Sequence, residues 1–161
     1  MYLFKDYKKI DHLAIAVRDL NEAIKYHQDV LGFELDTIRE TKGKHTSMRS
    51  AVMVSEEFSV VLLVSNSRGS QIERYIEQYG TGVQHVAFQV EGIESVYEEL
   101  KSKGMEFSTE ILCDAGLKQA FSKRDPNTGM MYEFIERDGN FSFEESNINR
   151  LFERLESGES Y

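Results

Sequence analysis

The sequence predicts an α+β fold: one domain, residues 1–161, built from two tandem βαβββ modules at about 9–66 and 82–138. Two observations predict it. First, the chain repeats itself. "IDHLAIAVRDLNEAIKYHQDVLGFE" overlays "VQHVAFQVEGIESVYEELKSKGME", so that His12 matches His85, Val17 matches Val90 and Leu20 matches Ile93. Second, each copy passes from an apolar, β-branched run to apolar residues at three- and four-residue spacing, and then to further strand-like runs.

Taken in order, Ile10–Val17 reads as the first strand. The helix after it carries Leu20, Ala23, Ile24 and Leu31 on one face, starts at an Asp19/Glu22 capping box and stops at Gly32. Strands follow at about 33–41, 46–54 and 58–64. A linking helix at about 70–79 opens on Ser70 with Glu73 and ends at Gly80. The second copy has its strand at Gly82–Val90. Its helix carries Ile93, Val96, Tyr97 and Leu100 and stops at Gly104, and strands follow at about 106–112, 117–123 and 130–137. "RDPNTG", with the lone Pro126, is a hairpin turn. Ser142 and Glu145 begin a last helix at about 144–156, and the charged tail "ESGESY" is expected to be disordered.

Composition narrows the function. Hydrophobic residues make up 40% and charged residues 29%, as in ordinary globular proteins. No apolar run is long enough for a membrane helix, and "MYLFKDYKKI" is too short in apolar content for a signal peptide. The single Cys113 excludes an internal disulfide and fits a reducing cytoplasm. A formal charge of −9 argues against nucleic acid and anionic membranes as partners, although a bound cation can still reverse the field locally for a small anionic substrate.

Strand side chains alternate between faces. In the first strand Leu13, Ile15 and Val17 should face the helix, leaving His12, Ala14 and Ala16 on the other side. In the second, Val86, Phe88 and Val90 face the helix and His85, Ala87 and Gln89 the other side. Each histidine thus shares a face with small or polar residues, with room before its ring. One histidine in a strand is usually structural; two at equivalent repeat positions point to a shared metal. In "GMMYEFIER" Glu133 is a carboxylate inside an apolar strand, which is costly unless compensated. His12, His85 and Glu133 together form a two-histidine, one-carboxylate set, the arrangement of non-haem Fe(II) oxygen chemistry. His27, in the first helix, and His45, near a turn, carry little weight as ligands.

These modules, with ligands on their first and last strands, resemble the vicinal oxygen chelate (glyoxalase/bleomycin resistance/dioxygenase) superfamily over about residues 9–156. Within it the chain is most similar to the catalytic half of 4-hydroxyphenylpyruvate dioxygenases, through "SQIERYIEQYGTGVQHVAF", "GLKQAFSKRD", "YEFIER" and "NINRLFERLE". The resemblance implies a curved mixed sheet around a central metal, with His12, His85 and Glu133 holding Fe(II), or alternatively Co, Ni, Mn or Zn. It implies a 2-oxo acid and O2 as substrates, consumed by oxidative decarboxylation. It places Gln71, Gln119 and Phe121 at the reaction and Ser50, Asn66, Gln84, Phe143 and Ile148 along the substrate pocket, beneath a gating C-terminal helix. Strand alternation puts Gln119 and Phe121 on one face, and Gln84 on the face opposite His85. Relatives of the glyoxalase I and epimerase type add a fourth ligand on the last strand of the first module. Here that strand is "FSVVLLVSN", where Leu62 or Leu63 stands opposite Glu133 in the repeat. Three protein ligands leave room for a chelating substrate and O2, favouring a dioxygenase. The alternatives are a divalent-metal isomerase or lyase of the glyoxalase I or methylmalonyl-CoA epimerase type, and a non-catalytic, antibiotic-sequestering dimer. A cytoplasmic homodimer is expected. The family's second clamping phenylalanine is replaced by Ile148, with Phe143 nearby, so the substrate ring need not be 4-hydroxyphenyl.

Overall fold

In the computed structural model, which describes residues 6–114, 116–137 and 156, the apolar run at the start becomes strand β1, Tyr7–Ala16. Helix α1, Leu20–Asp29, and strands β2, Glu34–Lys42, β3, Ser47–Val54, and β4, Ser59–Ser65, complete the first module. Helix α2, Gln71–Tyr79, leads to the second: β5, Gly82–Val90, α3, Ile93–Ser102, β6, Leu112–Asp114, β7, Leu117–Phe121, and β8, Met131–Arg137. All eight strands form one mixed sheet in the order β2-β3-β4-β1-β5-β8-β7-β6. Within each module the first strand lies parallel to the last, β1 beside β4 and β5 beside β8. The two modules join through the antiparallel pair β1–β5, which puts the two histidine strands side by side at the centre of the sheet.

The caps follow local chemistry. Asp19 accepts from the Glu22 N–H at 2.9 Å, and Ser70 Oγ from the Glu73 N–H at 3.1 Å. Helix α3 starts at Gly92, whose left-handed φ of 69° offers no side-chain cap. Glu136 of β8 substitutes, accepting from the Gly92 and Ile93 N–H groups at 3.1 and 3.0 Å. Helix α1 packs Leu20 and Ile24 on Ile15, Val17, Met53 and Leu62, and α3 packs Ile93, Val96 and Leu100 on Val90 and Phe134.

Three expectations need correction. The face of β1 bearing Ala14 and Ala16 is not open: the small alanines admit α2, whose Ile72, Tyr75 and Ile76 pack there with Leu63. Leu31 lies beyond α1 and is half exposed, because the helix ends before it. The strand expected over 106–112 does not form before Leu112, where β6 begins; ahead of it only Phe107 bridges to Ser122. There the side chain of Thr109 takes the Phe121 N–H at 3.0 Å, replacing a ladder bond, and pairing resumes at Leu112. The expected last helix lies outside the described residues except for Glu156, which is helical; its carboxylate accepts from the N–H and Oγ1 of Thr46, at the β2–β3 turn. The rest of the tail that was expected to be disordered, after Glu156, and Phe143 and Ile148 also lie outside them. Among the described residues no helix is long and apolar enough to cross a membrane.

Candidate metal centre

Across β1, β5 and β8 the register places His12, Ala87 and Glu133 in one row, and Ala14, His85 and Met131 in another two residues along. His12 and Glu133 are thus two strands apart. Their side chains still meet, His12 Nε2 lying 3.1 Å from Glu133 Oε2, because the residue between them is only an alanine, wholly buried. His85 Nε2 lies 3.5 Å from the same oxygen, and the two rings are 5.6 Å apart, edge to face. One donor atom from each of His12, His85 and Glu133 lies within 4.8 Å of the others.

Both histidines present Nε2 because something holds Nδ1 from behind. The β1–β5 ladder skips Asp11 on β1 and Gln84 on β5, so each strand carries a bulge one residue before its histidine. A bulge breaks the strict alternation of side chains. It lets Asp11 Oδ1 reach His12 Nδ1 at 2.8 Å, and Gln84 Oε1 reach His85 Nδ1 at 2.5 Å. Asp11 is itself gripped by Arg137 of β8, through Nε at 2.9 Å and Nη2 at 2.8 Å. This two-pronged pair ties the first strand to the last and fixes the carboxylate behind His12. Gln84 therefore belongs beside His85, where simple alternation places it on the opposite face. The dipeptides Asp11-His12 and Gln84-His85 were the signal for this arrangement, legible only with the bulges known.

Charge in the cluster follows from its contacts. Burial opposes a charge on His12, but Glu133 and Asp11 outweigh it and raise the ring to about 9. Burial also opposes ionised Glu133, yet the two histidines hold it down to about 2. Burial keeps His85 below its ordinary value. Burial would raise Asp11 as well, but its bonds from Arg137 and His12 hold it well below the usual carboxylate range. In the metal-free cluster Glu133 is thus held toward its ionised form and His12 toward its charged form, and a metal ion binding here would displace that ring proton. Two imidazole nitrogens and one carboxylate oxygen converging in this way fit a divalent transition metal.

The triad opens into a cavity of about 80 Å³ lined also by Arg39, Met48, Ser50, Val52, Val61, Leu63, Gln119 and Phe121. The sequence matches the family model for the Glyoxalase/Bleomycin resistance protein/Dioxygenase superfamily over residues 9–141. The chain belongs to this superfamily. It is 28% identical to a 4-hydroxyphenylpyruvate dioxygenase of Pseudomonas sp., over 92% of this chain and 53% of that one. It is 32% identical to the 4-hydroxyphenylpyruvate dioxygenase of Yarrowia lipolytica over 61% of this chain and 27% of that one. The chain thus spans about half, or less, of the curated relatives it matches. The fold is shared with a 4-hydroxymandelate synthase variant from Streptomyces coelicolor, at a TM-score of 0.88 and 21% identity, covering 96% of this chain and 56% of that one. It is also shared with the methylmalonyl-CoA epimerase of Mycobacterium tuberculosis, at 0.70 and 23%, covering 86% and 93%.

Within this superfamily fold, the expected pocket residues divide. Ser50, Gln119 and Phe121 line the cavity with the triad, and the Phe121 ring sits edge-on to His85 at 5.2 Å. Gln119 Nε2 is buried without a hydrogen-bond partner among the described residues. Gln71 is buried at the start of α2 and Asn66 is exposed, donating to Glu40 at 3.2 Å; neither lines the cavity. The register also refines the repeat. Glu133 pairs with Ala87 as Val61 pairs with Ala14, so Val61, rather than Leu62 or Leu63, is the counterpart of Glu133. Valine binds no metal either. Asp11, Arg137 and Arg39 are the site residues that reading the sequence missed.

Proposed function

We propose that this protein is an Fe(II)-dependent dioxygenase that acts on a 2-oxo acid, of the 4-hydroxyphenylpyruvate dioxygenase type. The observation that carries this reading is the two-histidine, one-carboxylate set at the wall of a mostly apolar cavity, with Val61 where a fourth ligand would stand. His12, His85 and Glu133 would hold the iron, which when bound supplies Lewis acidity toward a 2-oxo acid and the electron chemistry that O2 requires. The net change is R–CH2–CO–COOH + O2 → R–CH(OH)–COOH + CO2, or ring hydroxylation where R is aromatic.

The chain's own residues do the rest. Asp11 and Gln84 keep the protons of both rings on Nδ1, so that both Nε2 lone pairs face the ion. The unpartnered Gln119 Nε2 is a donor already desolvated, suited to a substrate oxygen. Met48, Val52, Val61, Leu63 and Phe121 exclude water from the reacting carbon.

An isomerase of the epimerase type shares the fold, and the absence of a fourth ligand at Val61 argues against it. The test is O2 uptake by anaerobically Fe(II)-loaded protein offered a panel of 2-oxo acids, with released CO2 measured. Uptake matched by CO2 supports the reading. Turnover of a substrate with Co(II), Ni(II) or Mn(II) and no O2 uptake overturns it in favour of the isomerase.

A further inference from the structure

Behind the triad one buried side chain has no part assigned so far. Met131 is the partner of His85 across the β5–β8 pair and is wholly buried, clustered with Phe121. A buried methionine ordinarily fills space. Here two N–H groups converge on its sulfur, Gln84 Nε2 at 3.8 Å and Arg124 Nη2 at 3.5 Å. Arg124 is itself pinned. Its guanidinium lies 4.6 Å from the Tyr75 ring and 5.3 Å from the Tyr79 ring of α2, and Nη1 donates to the Gly129 carbonyl at 2.7 Å. The flexible thioether is thereby held in one place, with its sulfur turned to Gln84.

The Gln84 amide has an accepting end and a donating end, and at 2% exposure it has no water to serve either. The end that faces His85 decides the tautomer of that ring. A carbonyl there, as observed, requires the proton on Nδ1 and leaves the Nε2 lone pair for a metal. An NH2 group there requires a bare Nδ1 and sends the proton to Nε2, which lies 3.5 Å from Glu133 and then binds no metal. His85 does not choose between them, since each tautomer satisfies one orientation of the amide. The choice falls to the amide's other end. A thioether sulfur accepts weakly and has no hydrogen to give. It suits the NH2 group, and turning the amide over would strand a buried carbonyl oxygen against it. The other metal histidine needs no such device, because Asp11 stands behind His12 and both its oxygens accept.

We infer that Met131 is a positioning residue for His85: its sulfur fixes which way the Gln84 amide points, and so keeps the His85 Nε2 lone pair free for a metal ion. This rests on His85 as a metal ligand, as in the reading above, and not on the identity of the reaction.

The test is Met131→Leu, a volume-conserving change that removes the acceptor, read by chelator competition for Zn(II) beside a thermal melt. Binding should weaken at least threefold. Gln84→Glu has no donating end to misplace, so in that background Met131→Leu should change Zn(II) affinity less than twofold, whereas a packing role would weaken both backgrounds alike. A second measurement does not need the Gln84 variant to fold. In Zn(II)-loaded protein with 15N-labelled histidine, Met131→Leu should speed water exchange of the His85 ring N–H at least threefold and leave that of His12, held by Asp11, unchanged. Zn(II) affinity within threefold of wild type, equal losses in both backgrounds, or equal acceleration at both rings overturns this inference and leaves the metal centre standing. Wild-type protein that takes up no Zn(II) overturns both.

Discussion

Asp11→Ala tests whether the bulge behind His12 matters to the metal site. Asp11 Oδ1 holds His12 Nδ1 at 2.8 Å, and Arg137 holds both carboxylate oxygens. Alanine removes the acceptor, frees the ring to rotate and change tautomer, and deprives Nε2 of the basicity that a carboxylate lends it. Loss of such a partner behind a ligating histidine lowers metal affinity by about 10–100-fold, or about 1.4–2.7 kcal/mol. Arg137 is left without this carboxylate, but its side chain is 21% exposed and can turn to water, so the cost to folding is about 1 kcal/mol. The assay is competition with a chromophoric chelator for Zn(II) or Co(II), beside a thermal melt that verifies folding. Asp11→Asn, which keeps an acceptor and loses the charge, should fall between. Because Arg137 acts through Asp11, adding Arg137→Met to Asp11→Ala should weaken binding no further. A folded Asp11→Ala protein that binds within threefold of wild type would refute the reasoning.

Three further predictions concern charge, space and capping. With its folded value raised to about 9, His12 stabilises the metal-free protein fully below its ordinary value near 6.5, and this support disappears as pH rises through 9; Glu133, held down to about 2, contributes above about 4.5 and ceases to as pH falls through 2. Metal-free melting temperature should therefore decline from pH 6.5 to 9 while metal affinity climbs over the same interval, and parallel trends in the two would contradict the assignment. Ala87→Val puts two methyl groups where His12 and Glu133 converge; we expect about 1–3 kcal/mol lost in denaturant melts, and metal affinity reduced more than tenfold in chelator competition. Glu136→Ala removes the acceptor that caps α3 from β8 and should cost about 1 kcal/mol in the same melts, with metal affinity unaffected.

What the sequence disclosed and what it hid have separate physical causes. Helix caps, apolar spacing and the duplicated histidine strands are local or periodic, so α1, α2, β1 and β5 could be read directly. The convergence of His12, His85 and Glu133 was legible because the duplication itself fixes which strands are equivalent. The bulges at Asp11 and Gln84 were not, since nothing in either strand's composition marks the residue that the ladder will skip. Nor was the seating of α2 on Ala14 and Ala16, because small residues leave room for a ligand and for a helix alike, and only the connection from β4 to β5 decides between them. Strand 106–112 failed for a local reason that can be named: Ser108 and Thr109 carry hydroxyls that compete for the ladder's partners.

The duplication also accounts for the cavity's asymmetry. Two equivalent histidines meet because β1 and β5 pair about an approximate twofold, His12 facing Ala87 and His85 facing Ala14. A symmetrical site would carry a carboxylate from each module, but the first has Val61 where the second has Glu133. The consequence reaches beyond one ligand. On the side of the second module the wall is Glu133, Gln119 and Phe121, which can anchor and orient polar atoms. On the side of the first it is Met48, Val52, Val61 and Leu63, together with Ser50 and Arg39. Among the described residues, the second module thus lines the cavity mainly with polar groups and the first mainly with apolar ones, a difference between two copies of one motif.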